Sequence, residues 1–387
     1  MRPSSARLKH SVAWILEAMI VWTGQFAPAQ SPTATAFVLN LRRYGWEPPD
    51  RREANGPSIA VDHEGRVLVG FTARERAGLV TRSQPSLSFR VLRFSSDGKV
   101  GLSLSLPTNV AGRTGVYLSD TDQIIARANE ELQLLDERKG DSQEGVWRIL
   151  TPCALRWLIE QSPSRHTLLL HTAEADPVMV IRLSQQPAVQ QCREAPEFTK
   201  STEDKRQNWP TSITDEFAYF LGGEKSYRWP LCDYGHRVEI PEHLHGRWAV
   251  LNDKTFASAT YNARKDQWRL KVISSEGQTK FEPDMVKHES ASSFWVPIRS
   301  SERGDRIAVD IETRQGGNRT LDISSHVTAR RIAVYDIEAG KELGSVPVNP
   351  EHHYRFEFDL GPDGHRLAIL EDEMVRVVDL GGIAPRN

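Results

Sequence analysis

The sequence has little cysteine, no long hydrophobic run outside its N-terminal segment and no strong charge of either sign. Only three cysteines occur in 387 residues, and none forms a CxxC pair of the kind that binds zinc or carries redox chemistry. No later segment approaches the roughly 20 apolar residues that a membrane-spanning helix needs. The formal net charge of −2 excludes a strong field for nucleic acid or an anionic membrane. We therefore expect a mature, monomeric chain with no membrane span and no nucleic-acid partner.

Compact catalytic signatures are also absent. The chain has no G-x-S-x-G elbow, no phosphate-binding loop, no G-x-G-x-x-G fingerprint and no EF-hand loop. The most metal-like pair is His243 and His245 in PEHLHG, because residues two apart on an extended strand share one face. Pro241 and Gly246 favour a solvated loop instead. We assign no catalytic residue, cofactor or metal, and keep His243 and His245 as the metal candidates to test.

The N-terminal segment has the layout of a secretory signal peptide. Arg2, Arg7 and Lys9 precede an apolar run over 11–24, and Ala27-Pro28-Ala29 offers a small-x-small cleavage site. Glu17 inside the apolar run is unfavourable, so an uncleaved anchor or an amphipathic start of the domain stays open. We expect a signal peptide over 1–29, a single domain over 30–387, and a secreted or periplasmic location.

What the chain does contain is a long series of short strands with alternating hydrophobicity. Clear examples are RVLVGFT (66–72), SFRVLRF (88–94), HTLLLHT (166–172), RRIAVYDI (330–337) and HRLAIL (365–370). Hairpin signals separate them, namely Glu64-Gly65, Asp97-Gly98, Glu276-Gly277 and Asp363-Gly364. Beyond the N-terminal segment no long stretch keeps a helical period. The pattern therefore predicts an all-β domain of antiparallel strands.

The strands recur in sets spaced by about 40–60 residues, which with four strands per set indicates a β-propeller. The second strand of each set lies near the following residues: Leu68, Ile125, Leu169, Ala218, Ser258, Ala308 and Ala368. We predict seven four-stranded blades over about residues 36–382, with six or eight as alternatives. The last set has only three strands, so AFVLNLRR (36–43) is predicted to complete it and close the ring. An open ring would leave an unpaired edge.

The C-terminal third resembles a known class. PDGxxLAI (Pro362–Ile369), VxVxD (Val375–Asp379) and IAVYD (Ile332–Asp336) are similar to segments of secreted bacterial propellers of the WD-repeat-like and YVTN-like class. No unit carries the full Gly-His and Trp-Asp pair of true WD repeats. The resemblance implies the propeller fold and brings no catalytic residues with it.

Two function classes follow from this interpretation. The first is a non-catalytic binding platform, in which the loops at one face of the ring bind a protein or a glycan. The alternative is a hydrolase or lyase at the mouth of the central channel, which a convergent ring of His, Asp, Glu and Arg from three or more blades would favour. A structural subunit of an envelope assembly is a third possibility.

Cysteine and tryptophan add two smaller expectations. From the strand directions, Cys153 and Cys192 should lie at the same end of their blade, and Cys232 at the opposite end of the next. A Cys153–Cys192 disulfide is therefore favoured over one with Cys232, with three free thiols as the alternative. Most of the ten tryptophans should pack between blades. Trp46 and Trp209, on predicted loops, could instead stack on a sugar or anchor a partner.

Overall fold

A computed structural model describes much of the chain between residues 34 and 380. The described ranges are 34–46, 58–75, 86–108, 114–128, 131–135, 147–150, 158–171, 179–183, 188–192, 212–220, 227–233, 236, 238–240, 248–262, 267–286, 289–291, 298–315, 326–350 and 356–380. These ranges contain 29 strands and one short 3-10 helix, which confirms the all-β prediction. Within them, no helix is long and apolar enough to cross a bilayer.

The strands form seven antiparallel sheets, which are the blades of a propeller. The strand bounds are β1 (Ala34–Asn40), β2 (Ser58–Val61), β3 (Val67–Glu75), β4 (Ser86–Phe94), β5 (Val100–Thr108), β6 (Gly115–Leu118), β7 (Ile124–Ala128), β8 (Glu131–Leu135), β9 (Trp147–Leu150), β10 (Leu158–Gln161), β11 (Thr167–His171), β12 (Met179–Arg182), β13 (Ala188–Gln191), β14 (Ser212–Ile213), β15 (Phe217–Phe220), β16 (Tyr227–Pro230), β17 (Val238–Glu239), β18 (Trp248–Asn252), β19 (Thr255–Asn262), β20 (Gln267–Ser274), β21 (Thr279–Phe281), β22 (Glu289–Ala291), β23 (Arg299–Ser300), β24 (Arg306–Gln315), β25 (His326–Asp336), β26 (Lys341–Val348), β27 (Phe356–Leu360), β28 (Arg366–Glu371) and β29 (Met374–Asp379).

Each blade uses its strands in chain order. Blades 1 to 5 are β2–β5, β6–β9, β10–β13, β14–β17 and β18–β21. Blade 6 is β22–β26, and its first strand is split because β22 and β23 both pair with β24. The sequence prediction of seven four-stranded blades is therefore confirmed.

Blade 7 closes the ring by joining the two ends of the described chain. It has the order β1-β29-β28-β27, and β1 pairs with β29 from Ala34↔Asp379 to Asn40↔Met374. The predicted closing strand over 36–43 is thus confirmed, with observed bounds of Ala34–Asn40. The strand ends where the Asn40 side chain accepts a hydrogen bond from the Arg42 backbone N–H and caps the 3-10 helix Leu41–Tyr44.

The hydrophobic core lies between neighbouring blades. Leu68, Phe89 and Val91 of blade 1 pack against Ile124 and Ala126 of blade 2, and every other pair of neighbouring blades shares a similar cluster. Because side chains alternate between the two faces of a strand, each blade has two apolar faces that only its neighbours can cover. The ring is therefore the smallest unit that buries all of these faces.

The disulfide differs from the prediction. Cys192 pairs with Cys232, with Cα atoms 4.7 Å apart, so the predicted Cys153–Cys192 bridge is wrong. The prediction considered only the end of the blade at which each cysteine lies, whereas this bridge joins the facing surfaces of blades 3 and 4. Cys192 is buried there beside Trp229 and Ile213, and Cys232 packs against the same cluster. Cys153 lies outside the described residues.

This pairing predicts the thiol content of the protein. Thiol titration of the unfolded, unreduced protein should detect one reactive thiol, that of Cys153, because Cys192 and Cys232 are consumed by the bridge. Peptide mapping should recover Cys192 and Cys232 in one linked peptide pair, and reduction should raise the titre to three. A titre of three before reduction would contradict the bridge.

Candidate functional site

The seven turns that join the first strand of each blade to its second strand lie at one end of the channel, because all first strands run in the same direction. We call this surface the turn face, and it consists of residues 62–66, 119–123, 162–166, 214–216, 253–254, 301–305 and 361–365. Loops that surround a propeller channel are the usual place for binding or catalysis in a repeat-built ring. The turn face therefore defines the candidate site.

A shared local chemistry builds most of these turns. The first residue is Asp, Ser or Thr in six of them, and in five its side-chain oxygen accepts a backbone N–H from the end of the turn. Examples are Arg66 N to Asp62 Oδ1 at 2.7 Å, Gln123 N to Ser119 Oγ at 3.0 Å and Arg306 N to Ser301 Oγ at 3.1 Å. Such side chains mimic backbone turn bonds, which explains their place here.

The fourth residue of several turns has a left-handed backbone. Gly65 and Gly304 occupy it with φ of 71° and 69°, but Asp122 and Arg165 occupy it with φ of 60° and 63°. A side chain in this conformation costs about 1–2 kcal/mol where glycine would cost nothing. Asp122 and Arg165 are therefore candidates for residues retained for what their side chains do.

His63 of blade 1 bridges the turns of blades 2 and 6. Its Nδ1 lies 2.9 Å from Asp122 Oδ1, and its Nε2 lies 3.0 Å from Glu302 Oε2. Partial burial lowers the pKa of His63, but the hydrogen bonds to Glu302 and Asp122 outweigh it and raise the pKa above its ordinary value. Both ring nitrogens are thus engaged by carboxylates.

His166 of blade 3 repeats this arrangement between blades 2 and 4. Its Nε2 lies 3.0 Å from Asp120 Oδ2, and its Nδ1 lies 3.2 Å from Asp215 Oδ2. Burial raises the pKa of Asp215, but hydrogen bonds from Ser164, Ser162, Thr167 and His166 outweigh it and lower the pKa below the ordinary value. Asp215 therefore remains ionised as an acceptor.

Arg165 reaches across the mouth of the channel. Its Nη1 donates to Val61 O of blade 1 at 2.6 Å, and its Nη2 donates to Asp359 Oδ2 of blade 7 at 3.3 Å. Asp359 also accepts the Val61 N–H at 2.8 Å. The Arg165 guanidinium of blade 3 thus links the first strands of blades 1 and 7, neither of which is adjacent to blade 3.

Two glutamates lie deeper in the channel. Glu160 on β10 and Glu357 on β27 keep some contact with solvent but are surrounded by protein. Burial raises the pKa of each carboxyl to about 7, although Arg299 on β23 partly offsets this. Tyr117 on β6 lies within electrostatic reach of both, and burial raises its pKa to about 12. Four blades therefore contribute titratable groups to one interior cluster.

Sequence reasoning named none of these residues individually. It did name a convergent ring of His, Asp, Glu and Arg as the feature that would favour an enzyme, and the turn face has such a ring. A detectable signal was the alignment of SDTDQ and SPSRH with DHEGR and SERGD, which places Asp122 and Arg165 where glycine is expected. A second signal was a glutamate inside two of the apolar first strands, LIEQ and FEFDL.

The site residues that the sequence did name have mixed outcomes. His243 and His245 lie outside the described residues, so the metal assignment stays a prediction. Among the residues that the structure does describe, no group of three His, Cys, Asp or Glu side chains could hold a metal ion. Trp46 is buried between blades 1 and 7, as most tryptophans were expected to be, and not exposed to a ligand as the alternative had it. Trp229 packs between blades 3 and 4 as expected, and Trp209 lies outside the described residues.

Comparisons with known proteins find likeness only in structure. No protein-family model and no curated protein matches the chain. A chain of a mitotic checkpoint complex is similar at 14% identity and a TM-score of 0.48, over 92% of this chain and 98% of that one. The propeller domain of Cps50 (Swd1) from Myceliophteria thermophila shares 11% identity at a TM-score of 0.47, over 84% and 97%.

A further similar structure is virginiamycin B lyase from Staphylococcus aureus. It shares 12% identity at a TM-score of 0.44, over 89% of this chain and 98% of that one. At such identities the likeness concerns the fold alone, and it carries no function from one chain to the other. The chain has the architecture of a seven-bladed β-propeller, which its own sheet order shows.

Proposed function

We propose that the protein is a non-catalytic, secreted or periplasmic binding platform whose partner docks on the turn face. The observation that carries this proposal is the engagement of both ring nitrogens of His63 and His166 by carboxylates. Secretion is supported by the N-terminal sequence pattern alone. The partner is a protein or a glycan that recognises the shape and charge of the turns.

The bonding pattern at the mouth argues against acid–base catalysis there. A general base needs a free lone pair within reach of the substrate proton. An imidazole that donates to a carboxylate from each nitrogen has no such lone pair. Arg165 is likewise held by Val61 O and Asp359. The convergent ring therefore orders the turns, and a preordered surface loses little entropy on binding.

The charge of the turn face indicates the chemistry of the partner. Acidic residues exceed lysines and arginines in these turns. They are Asp62, Glu64, Asp120, Asp122, Asp215, Glu216, Asp253, Glu302, Asp305 and Asp363, against Arg66, Arg165, Lys254 and Arg303. Complementary charge steers association and selects partners. We favour a protein segment rich in lysine and arginine over a neutral glycan.

The test is an affinity capture from envelope or extracellular material with the mature protein. We expect a specific partner whose retention weakens with salt, because exposed charges are screened. The variant Glu64→Lys/Glu216→Lys reverses two exposed charges of the turn face and should lower affinity about tenfold or more. Glu239→Lys, on the exposed outer strand β17, is the matched control and should bind as the parent does. Equal loss with both variants, or no partner, would reject the platform.

A second candidate function rests on the channel glutamates. Carboxyls with pKa values of about 7 can donate and accept protons near neutral pH, as catalytic acids and bases do. A substrate reaching them would meet Glu160, Glu357 and Arg299 together. The test is turnover of an esterase, glycosidase or lyase substrate. If Glu160→Gln or Glu357→Gln abolishes the turnover and Glu64→Lys/Glu216→Lys leaves it intact, catalysis in the channel would replace the binding platform as the function.

A further inference from the structure

The two histidines of the mouth share a requirement that follows from their bonding. A carboxylate only accepts hydrogen bonds, so an imidazole between two carboxylates must donate from both nitrogens. His63 is held in this way by Asp122 and Glu302, and His166 by Asp120 and Asp215. A neutral imidazole carries one N–H, so its other nitrogen would face a carboxylate lone pair to lone pair.

We propose that His63 forms a proton-dependent latch on this mouth of the channel. With two protons, its imidazole ties the turns of blades 1, 2 and 6 together. Loss of one proton breaks one of the two cross-blade bonds that the ring makes and leaves a repulsive contact in its place. The turns then separate locally while the blades stay folded, because their apolar faces do not depend on these bonds.

The surrounding charges set the direction of this response. The titratable and charged groups of the turns that carry the histidines and their carboxylate partners, and of the blade 7 turn, are Asp62, Glu64, Arg66, Asp120, Asp122, Arg165, Asp215, Glu216, Glu302, Arg303, Asp305, Asp363 and His365. Contacts to these turns are also made by Arg93, Arg182, Asp359 and Arg366. Several of the arginines already have acidic partners, as Arg93 and Arg66 have Asp62 and Arg165 has Asp359. The carboxylates of Asp122 and Glu302 that touch the His63 imidazole therefore dominate and favour its protonated form.

The pH window follows from the sign of the shift at His63. Its pKa is raised above the ordinary value of 6.5. A raised folded-state pKa contributes stability that is fully present below about pH 6.5 and is lost as pH rises through the folded value. Blades 1, 3 and 7 are joined by a separate set of contacts, because Arg165 donates to Val61 O and Asp359. The latch is thus closed in acid and released as pH rises through the folded-state pKa of His63.

Hydrogen exchange of the full protein tests the latch without any partner, so the outcome is independent of the proposed function. Exchange would be followed from pH 5.5 to 8.5, with each rate corrected for its intrinsic pH dependence. We expect peptides covering 62–66 and 119–123 to lose protection as pH rises, by up to roughly tenfold for each pH unit between the folded and unfolded titration midpoints of His63. Peptides of β28 should show no such loss.

Two variants separate the latch from a general pH effect. Asp122→Gly removes one carboxylate partner and relieves the left-handed backbone at φ 60°, so the turn should still form. His63→Gln removes the titrating ring. Both should make exchange at 62–66 insensitive to pH. His236→Gln is the matched control, because His236 pairs with Asp233 within one loop and joins no blades.

The deciding measurement is the NMR titration of the His63 ring together with this exchange. A midpoint above 6.5, with pH-dependent protection that Asp122→Gly and His63→Gln abolish and His236→Gln retains, supports the latch. A His63 midpoint at or below 6.5 overturns it. So does a pH dependence that persists in Asp122→Gly and His63→Gln.

Discussion

Deletion of residues 34–40 should abolish cooperative unfolding of the ring and leave a protein that aggregates. This segment is β1, the fourth strand of blade 7, and it pairs with β29 along its length. Without it, β29 becomes an exposed edge with unpaired backbone groups, which is a template for association with other chains. The deletion also removes Phe37 and Leu39, which pack against the cluster between blades 1 and 7. Calorimetry and light scattering would measure the loss.

Single substitutions where blades 1 and 7 meet should lower the free energy of unfolding by amounts that depend on burial. Leu41 is fully buried in the cluster that blades 1 and 7 share, so Leu41→Ala should lower the free energy of unfolding by about 2–5 kcal/mol. Val38 lies on β1 with 51% of its surface exposed, so Val38→Ala should change it by no more than about 0.5 kcal/mol. A deletion variant that keeps its Tm and cooperativity would show that β1 does not close the ring.

Loss of Arg330 should be the most damaging single charge change in blade 6. Arg330 on β25 and Asp310 on β24 are both buried, and Arg330 Nε lies 2.9 Å and 3.0 Å from the two carboxylate oxygens. Burial lowers the pKa of Arg330, but Asp310 outweighs it and raises the pKa, so the pair remains charged. Arg330→Met leaves Asp310 buried without this partner, which costs about 3–5 kcal/mol. Denaturant unfolding would measure the change.

The neighbouring residue provides a matched control for this substitution. Arg331 follows on the same strand and pairs with Glu289 at 3.1 Å and Glu342 at 2.8 Å, but 24% of its side chain is exposed. Solvent can replace such contacts, so Arg331→Met should cost only about 1 kcal/mol or less. If the two substitutions cost the same, burial is not what makes the Arg330 pair matter.

The fold could be predicted because its signals are local. Strands such as β28 follow from alternation of apolar side chains, and the turns before them follow from Gly364 or from Ser301, whose hydroxyl accepts the Arg306 N–H. The closing strand β1 could be inferred because blade 7 lacked one strand and an open edge is unfavourable. Each of these inferences needs only neighbours in the chain or a count of strands per repeat.

The contacts of the candidate site could not be predicted because the residues that make them are distant in sequence. His63 and Glu302 are 239 positions apart, and only the closed ring places their turns side by side. The same holds for Arg165 and Asp359, 194 positions apart across the mouth. The missed disulfide has a related cause, since Cys192 and Cys232 meet between the faces of two blades and not along the rim of one.

The sequence by itself therefore determined the strands, their grouping into four-stranded blades and the strand that closes the ring, since strand alternation and turn chemistry act over a few residues. Its prediction of seven blades left six or eight open, and the sheets decided the count. Only the tertiary structure decided which side chains meet around the channel, which cysteines pair, and that Glu160 and Glu357 share one interior with Arg299. The physical reason is that these contacts depend on the angle and twist between blades. Those are properties of the packed ring, and no single strand encodes them.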